Sequence, residues 1–489
     1  MHAVRDRKSG QAEQKKLTAG WKLLLTNQFH DIIPGSSIHE VYEDSRKDYE
    51  IIEKTGRAAV SDAVDKELQQ EETRFRVYNA LTWKSSAVVE IPDGEDGMYY
   101  DCRENALSSQ KENGKYYVKI DDVPGMGFSE ISYKKGVPET PESIFKISGK
   151  QVETPFYVLA FNDYGQIIRL YDKHADREVL AKGERGNVLQ VFEDKPLANE
   201  AWDIEIYYQE KMREITDLTE FSVVENGPLW LGIQLVWKYI NTTISQKIKL
   251  YNDSRRIDFE TEVDFHERQQ LIKTCFPVNI RTTFATYDIQ YGNVRRPNHW
   301  NTSWDYARFE VVGHRFADLS EQNYGVALLN DCKYGYDIKG NVMRLSLLRS
   351  GLKPDYEQDQ GKHVFTYALF PHEGDFAEGQ VVQEASLLND PMEVRKGKGQ
   401  QEESSFIDSQ NSKVEIDAVK LTEDGKYLLC RFHEFAGSTQ QIKLKTSFKY
   451  EKWAESDLME RPTGEFTQGP VNIKISPYEI KTILFAVCE

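Results

Sequence analysis

The feature that most constrains this chain is a change of periodicity near residue 72, with helical spacing before it and strand-like alternation after it. Leu17, Trp21, Leu24, Leu25 and Phe29 recur at three- and four-residue spacings, which predicts an amphipathic helix stopping at the Ile33-Pro34-Gly35 break. Ser37-Ile-His-Glu40 reads as a capping box that opens a second helix, with Ile38, Val41, Ser45, Tyr49, Ile52, Ala59, Ala63 and Val64 along its apolar face. Two helices joined in this way form an antiparallel hairpin, and a hairpin buries too little apolar surface to fold alone. The first helix also begins close to the terminus, so the pattern anticipates a segment upstream.

Beyond residue 72 the chain reads as β throughout. Asn113-Gly114 before Tyr116 and Asp424-Gly425 before Tyr427 are hairpin signals that predict tight turns. Residues 244, 248 and 250, and then Ile257, Phe259, Thr261 and Val263, alternate on either side of Tyr251-Asn-Asp-Ser-Arg and predict two long half-buried strands. More than four hundred such residues imply antiparallel sheets stacked as sandwiches. The fold class is therefore mainly β with an N-terminal helical part. The expected units are a helical part (1–72), a small β-sandwich (73–150), a large central β-sandwich (151–396) and a C-terminal β-domain (397–489). Polar residues 397–411 read as the linker into the last unit.

Composition narrows the partners. With 79 acidic against 62 basic residues the net charge is -17, and no basic cluster is dense enough to neutralise a run of phosphates, so nucleic acid is not expected. No stretch reaches the roughly 18 apolar residues of a membrane span, and residues 1–16 have no signal-peptide core. Five scattered cysteines, odd in number and without a C-x-x-C spacing, suit reduced thiols in a cytoplasm. Asn241, Asn252 and Asn301 open glycosylation-like triplets that are read as incidental. The 26 tyrosines and 8 tryptophans suit broad sheets and also surfaces that stack on sugar rings.

The most distinctive segment is Trp21-Lys-Leu-Leu-Leu-Thr-Asn-Gln-Phe-His30-Asp31-Ile-Ile-Pro-Gly-Ser-Ser. Its periodicity puts an imidazole and a carboxylate in the last helical turn, where the helix dipole favours a cation. From spacing alone two readings stand. His30 caps the helix while Asp31 bonds the turn, or the pair contributes to a metal or sugar site.

The string Asn27-Gln-Phe-His-Asp-Ile-Ile-Pro-Gly-Ser-Ser-Ile is similar to the middle-domain signature of family 38 α-mannosidases. Asp194-Lys-Pro, Ala201-Trp-Asp203, the segment from Gly292 to Asp305, and Asp318 through Asp337 resemble the same family, in its order and nearest to its shorter cytosolic type. The resemblance implies the remnant of a three-helix bundle followed by β-sandwiches, among them a large galactose-mutarotase-like supersandwich. It implies zinc, with cobalt fitting the same donors, held by His30 together with a histidine and two aspartates of an N-terminal α/β domain. One of those aspartates is the family's nucleophile, and the general acid belongs to the same domain, so no catalytic carboxylate is expected among these residues. Asp31 is expected to orient a ligand or a sugar hydroxyl. Trp202, Asp203, Arg296, His299, Trp304 and Asp305 are candidate substrate contacts. The implied partners are a mannose-containing oligosaccharide and that N-terminal domain, and the broad β surface is compatible with a homodimer. The competing reading is a non-catalytic carbohydrate-binding or scaffold subunit.

Overall fold

The computed structural model describes residues 7–136 and 143–488, with side chains from Gln14 onward. Residues 1–6, the start of the expected helical unit, and residues 137–142, within the expected small sandwich, lie outside the described residues.

The first helix spans Arg7–Asn27 and the second His39–Asp65. They run antiparallel, because Gly20 packs beside Thr55 while Asn27 donates from Nδ2 to Asp48 Oδ2 at 2.9 Å. The expected Ser37–Glu40 capping box does not form. Ile38 occupies the N-cap with no side-chain cap bond. The Ser37 hydroxyl instead donates to the Asp31 carbonyl, and the Ser37 N–H donates to Tyr42 Oη at 2.8 Å, so the serine closes the inter-helix turn and is not free to cap. The apolar stripe of the first helix is exposed, at 60% for Trp21, 60% for Leu25 and 53% for Phe29, and no residue of the second helix is buried.

Every ladder in the β region is antiparallel. A six-stranded sheet (order Glu393–Lys396, Arg74–Asn79, Gly127–Lys135, Gly97–Tyr100, Ala106–Leu107, with Glu403–Ser405 on Gly127–Lys135) faces a three-stranded sheet over a core of Phe75, Val77, Val118 and Ile131. Two of its strands therefore come from far downstream. The polar segment around Gly397 is fastened to this sheet, since the Gly399 N–H donates to Glu130 Oε1 at 2.8 Å and Arg76, itself ion-paired to Glu130 at 2.7 Å, donates to the Gln401 carbonyl at 2.7 Å. The Asn113-Gly114 signal forms a two-residue hairpin, with Glu112 opposite Lys115 and φ of 50° and 79° at the two turn residues. Gly425, with φ of 70°, lies in a wider loop closed by Thr422 and Tyr427.

The central region packs a nine-stranded sheet on a six-stranded one. Thr242–Tyr251 alternates buried and half-buried residues along its length, and Ile244, Ile248 and Leu250 face Val263, Phe259 and Ile257 across the ladder. These residues point into one large core, where Phe259 stacks on Tyr367 with ring centroids 4.9 Å apart. On the opposite face of the nine-stranded sheet, the helix Val381–Asn389 covers Phe316, Ala327, Leu329 and Phe370. The last unit stacks three strands on four around Val414, Phe432, Ile442 and Ile483. It is joined to the centre by Arg315, which pairs with Asp288 at 3.0 Å and with Glu415 at 2.8 Å. All five cysteines are free, and among the described residues no helix is long and apolar enough to cross a membrane.

Candidate functional site

The first helix ends three residues before His30. Asn27, 3% exposed, donates to the Leu23 carbonyl at 3.0 Å and to Asp48, which fastens the helix end to its partner. The chain then turns repeatedly, with Ile32 and Ile33 N–H groups donating to the Phe29 carbonyl at 2.8 and 3.1 Å and Gly35 at φ of 80°. His30 and Asp31 therefore sit beyond the helix and not in its last turn. The ladder closes with the Gln28 N–H donating to the Leu24 carbonyl at 3.1 Å, and the Phe29 N–H then donates to the Thr26 carbonyl at 3.1 Å as the chain tightens into the turn.

This turn leaves both side chains available. His30 is 72% exposed and Asp31 41%, and the 3.6 Å between His30 Nε2 and Asp31 Oδ2 is too long for a hydrogen bond. Asp31 Oδ1 is shielded from solvent and has no hydrogen-bond partner, an arrangement that is costly for a carboxylate. Below the turn, His39 Nδ1 lies 3.2 Å from Asp355 Oδ2 and joins the hairpin to the central sandwich. Neither residue carried a signal of its own in the sequence, since the two are paired only by the fold.

Trp202 reaches the same place from the sandwich. Its N–H and that of Asp203 donate to the Asn199 carbonyl at 2.8 and 2.9 Å, forming a tight turn with Asn199 at φ of 53°. Arg349 holds this loop by pairing with Asp194 at 2.5 Å and donating to the Asp203 carbonyl. Glu200 Oε2 accepts the Leu352 N–H at 2.6 Å. The Trp202 ring stands 6.5 Å from the His30 ring and is 56% exposed. A cavity of about 840 Å³ opens between the two parts, lined by Asp31, Ser37, Val41, Leu197, Trp202 and Pro354.

The remaining candidates form a separate group. Arg296 lies over the Tyr287 ring at 4.6 Å, with one buried guanidinium nitrogen unpartnered, and burial lowers its pKa. Asp305 forms a reciprocal capping box with Thr302 on the short helix Ser303–Tyr306 and lies 3.6 Å from His299 Nδ1. Trp304 is 76% exposed. No hydrogen bond, ion pair or ring contact among the described residues joins this group to His30 or Asp31. Its loop leaves the nine-stranded sheet after Pro297 and enters the six-stranded one at Val311, beside the Trp202 loop, where Ile204 and Phe309 pack on Phe192, Tyr208 and Leu271.

What can this arrangement hold? An accessible imidazole and a carboxylate with an unsatisfied oxygen suit a divalent cation. They are two donors, and among the described residues no group of three or more metal-ligating side chains converges. They fit a zinc site only as part of a larger ligand set.

Residues 2–66 match the alpha mannosidase middle domain, residues 152–357 the glycosyl hydrolases family 38 C-terminal domain, and residues 413–483 the family 38 C-terminal beta sandwich domain. The chain is 32% identical to alpha-mannosidase 2C1 of Homo sapiens over 96% of its own length and 45% of the relative's. It is likewise 32% identical to alpha-mannosidase G of Dictyostelium discoideum, covering 95% of this chain and 47% of the relative. It thus spans less than half the length of these relatives. An alpha-mannosidase from Enterococcus faecalis V583 has the same fold, with a TM-score of 0.82 at 16% identity over 96% of this chain and 63% of that one. The chain belongs to glycosyl hydrolase family 38, whose middle and C-terminal domains it matches in order.

Proposed function

We propose that this chain is the middle and C-terminal part of an exo-acting α-mannosidase that removes terminal α-linked mannose from oligosaccharides with retention. The observation that carries this reading is the His30–Asp31 turn, where an exposed imidazole stands beside a carboxylate with an unsatisfied oxygen, at the rim of a cavity, in a chain of this family. A retaining glycosidase needs two carboxylates about 5–5.5 Å apart. Asp31 is the carboxylate of the same turn as His30, while Glu200 and Asp194 hold the Trp202 loop. The nucleophile and the general acid therefore belong to the part that the longer relatives possess, as do the remaining metal donors, and the isolated chain is inactive.

The exposed Trp21, Leu25 and Phe29 are the surface on which that part would dock. His30 would contribute one nitrogen to zinc, or to cobalt, which suits the same donors. When bound, the metal would supply a Lewis-acid centre gripping sugar hydroxyls. Asp31 would accept a hydroxyl or orient a ligand, and Trp202 would offer an indole face to the sugar ring. The exposed Trp304 and His299 would form an outer wall. Arg296 and Asp305 act on that wall indirectly, through the Tyr287 ring and the Thr302 cap. Five free thiols accord with a cytoplasmic location.

The test is nitrophenol release from a nitrophenyl α-mannoside by the purified chain with added zinc, beside the His30→Ala variant. Neither should turn over. Activity that His30→Ala abolishes would place both carboxylates within these residues and overturn the division of labour proposed here.

A further inference from the structure

At the free edge of the nine-stranded sheet, on the face turned away from the core, three polar residues stand in one row. Thr286 is directly opposite Arg295 on one side and Asp318 on the other, and residues paired in this way share a face. Their chain neighbours Ala285, Tyr287, Ala317, Leu319 and Val294 all pack into the core, so the row points outward. It forms one wall of a pocket of about 340 Å³, near the lower end of the roughly 300–1,000 Å³ of small-molecule sites. Arg281, Phe284, Asp375 and Phe376 close the pocket around it.

The hydrogen-bonding capacity of this pocket is unevenly used. Thr286 is 3% exposed, and its hydroxyl makes no hydrogen bond among the described residues. Arg295 lies over the Phe284 ring at 4.7 Å, and neither Arg295 nor Arg281 has a carboxylate within ion-pair distance among the described residues. The acids are engaged in part. Asp318, 1% exposed, is held by Ser320 on one oxygen and by His372 Nε2 at 2.8 Å on the other. Asp375 Oδ1 accepts the Ala377 and Glu378 N–H groups at 2.9 and 3.0 Å, leaving Oδ2 open. Each carboxylate oxygen keeps a further lone pair. The Asp318 side chain is fixed more firmly still, because the His372 ring is wedged between Gly325 and Gly379, where an added Cβ would approach ring atoms to 2.3 and 2.1 Å.

We propose that this pocket binds a neutral sugar of monosaccharide size. Adjacent hydroxyls of such a ring are donors and acceptors at once. They can donate to Asp318 and Asp375 and accept from Arg295, Arg281 and Thr286, while the half-buried Phe284 gives the pocket an apolar wall for the ring. A phosphate or sulfate would gain the two guanidinium groups only by facing the carboxylates of Asp318, Glu321 and Asp375. The pocket shares no lining residue with the cavity beside Asp31, and the proposal does not depend on the mannosidase reading.

The test titrates the purified chain with methyl α-mannoside, methyl α-glucoside, methyl β-galactoside and inorganic phosphate by isothermal titration calorimetry. The parent, Arg295→Met, Thr286→Val and His30→Ala chains are compared after their melting temperatures have been measured. At least one glycoside should saturate. Its affinity should fall about tenfold or more in Arg295→Met and in Thr286→Val, as expected for loss of one hydrogen bond, and should be unchanged in His30→Ala. Arg295 is exposed, so its variant decides the matter should Thr286→Val melt early. Saturation by phosphate alone, by no probe, equally in parent and Arg295→Met, or only when His30 is intact would overturn the proposal.

Discussion

The helical hairpin and the central sandwich are built to opposite standards. Ile244, Ile248, Phe259 and Tyr367 are at most 1% exposed, whereas Trp21, Leu25 and Phe29, equally apolar, are more than half exposed. Both regions carry well-formed apolar periodicity, so a stripe in sequence specifies a buried face but not the element that buries it. In the sandwich the second layer lies within the same chain, while the outer face of the hairpin remains uncovered.

Four measurements test this contrast. Phe259→Ala should cost about 3–5 kcal/mol, read as a lower denaturation midpoint, because a ring stacked within a filled core leaves a cavity. A loss below about 1 kcal/mol would deny the sandwich its dominance. Lys273, fully buried, pairs with Glu310 and, at 3.3 Å, with Asp337. Lys273→Met leaves Glu310 without its cation, while Asp337 keeps Arg344 at 3.0 Å, and should cost about 3 kcal/mol. Asn27→Leu breaks the bond to Asp48 and should cost about 1 kcal/mol, seen as faster amide exchange confined to the hairpin. Trp21→Ser with Leu25→Ser should change stability by no more than about 0.5 kcal/mol each while reducing self-association. A large loss there would mean that the stripe is already covered.

Much of the fold was legible because alternation and turn chemistry are local. Asn113-Gly114 formed its hairpin, and the strands around Ile248 and Phe259 pair as their spacing indicated. Legibility failed where one side chain had two possible partners. Ser37 had the residue type of a helix cap and was spent on the Asp31 carbonyl. Asn27, unremarkable in sequence, is the last residue of the helix and ties it to Asp48, and His30 follows in a turn. Near the site, the meeting of Trp202 with His30 followed from strings similar to one family and not from spacing. The row of Arg295, Thr286 and Asp318 was not legible as a row, because cross-strand register joins residues from three strands.

The return of the chain to its first sheet has a consequence for how the protein is made. Arg76 waits for Gln401, which lies 325 positions downstream, so the early sheet lacks a neighbour until the whole central sandwich has been synthesised. At about 5–20 residues per second that delay on the ribosome is roughly 15–65 s, long enough for the later-encoded sandwich to fold first and present a finished surface. This β unit is then completed after the sandwich that follows it in sequence, and during that interval the open edge of Arg74–Asn79, with the Arg76–Glu130 pair beside it, is the surface a chaperone would meet.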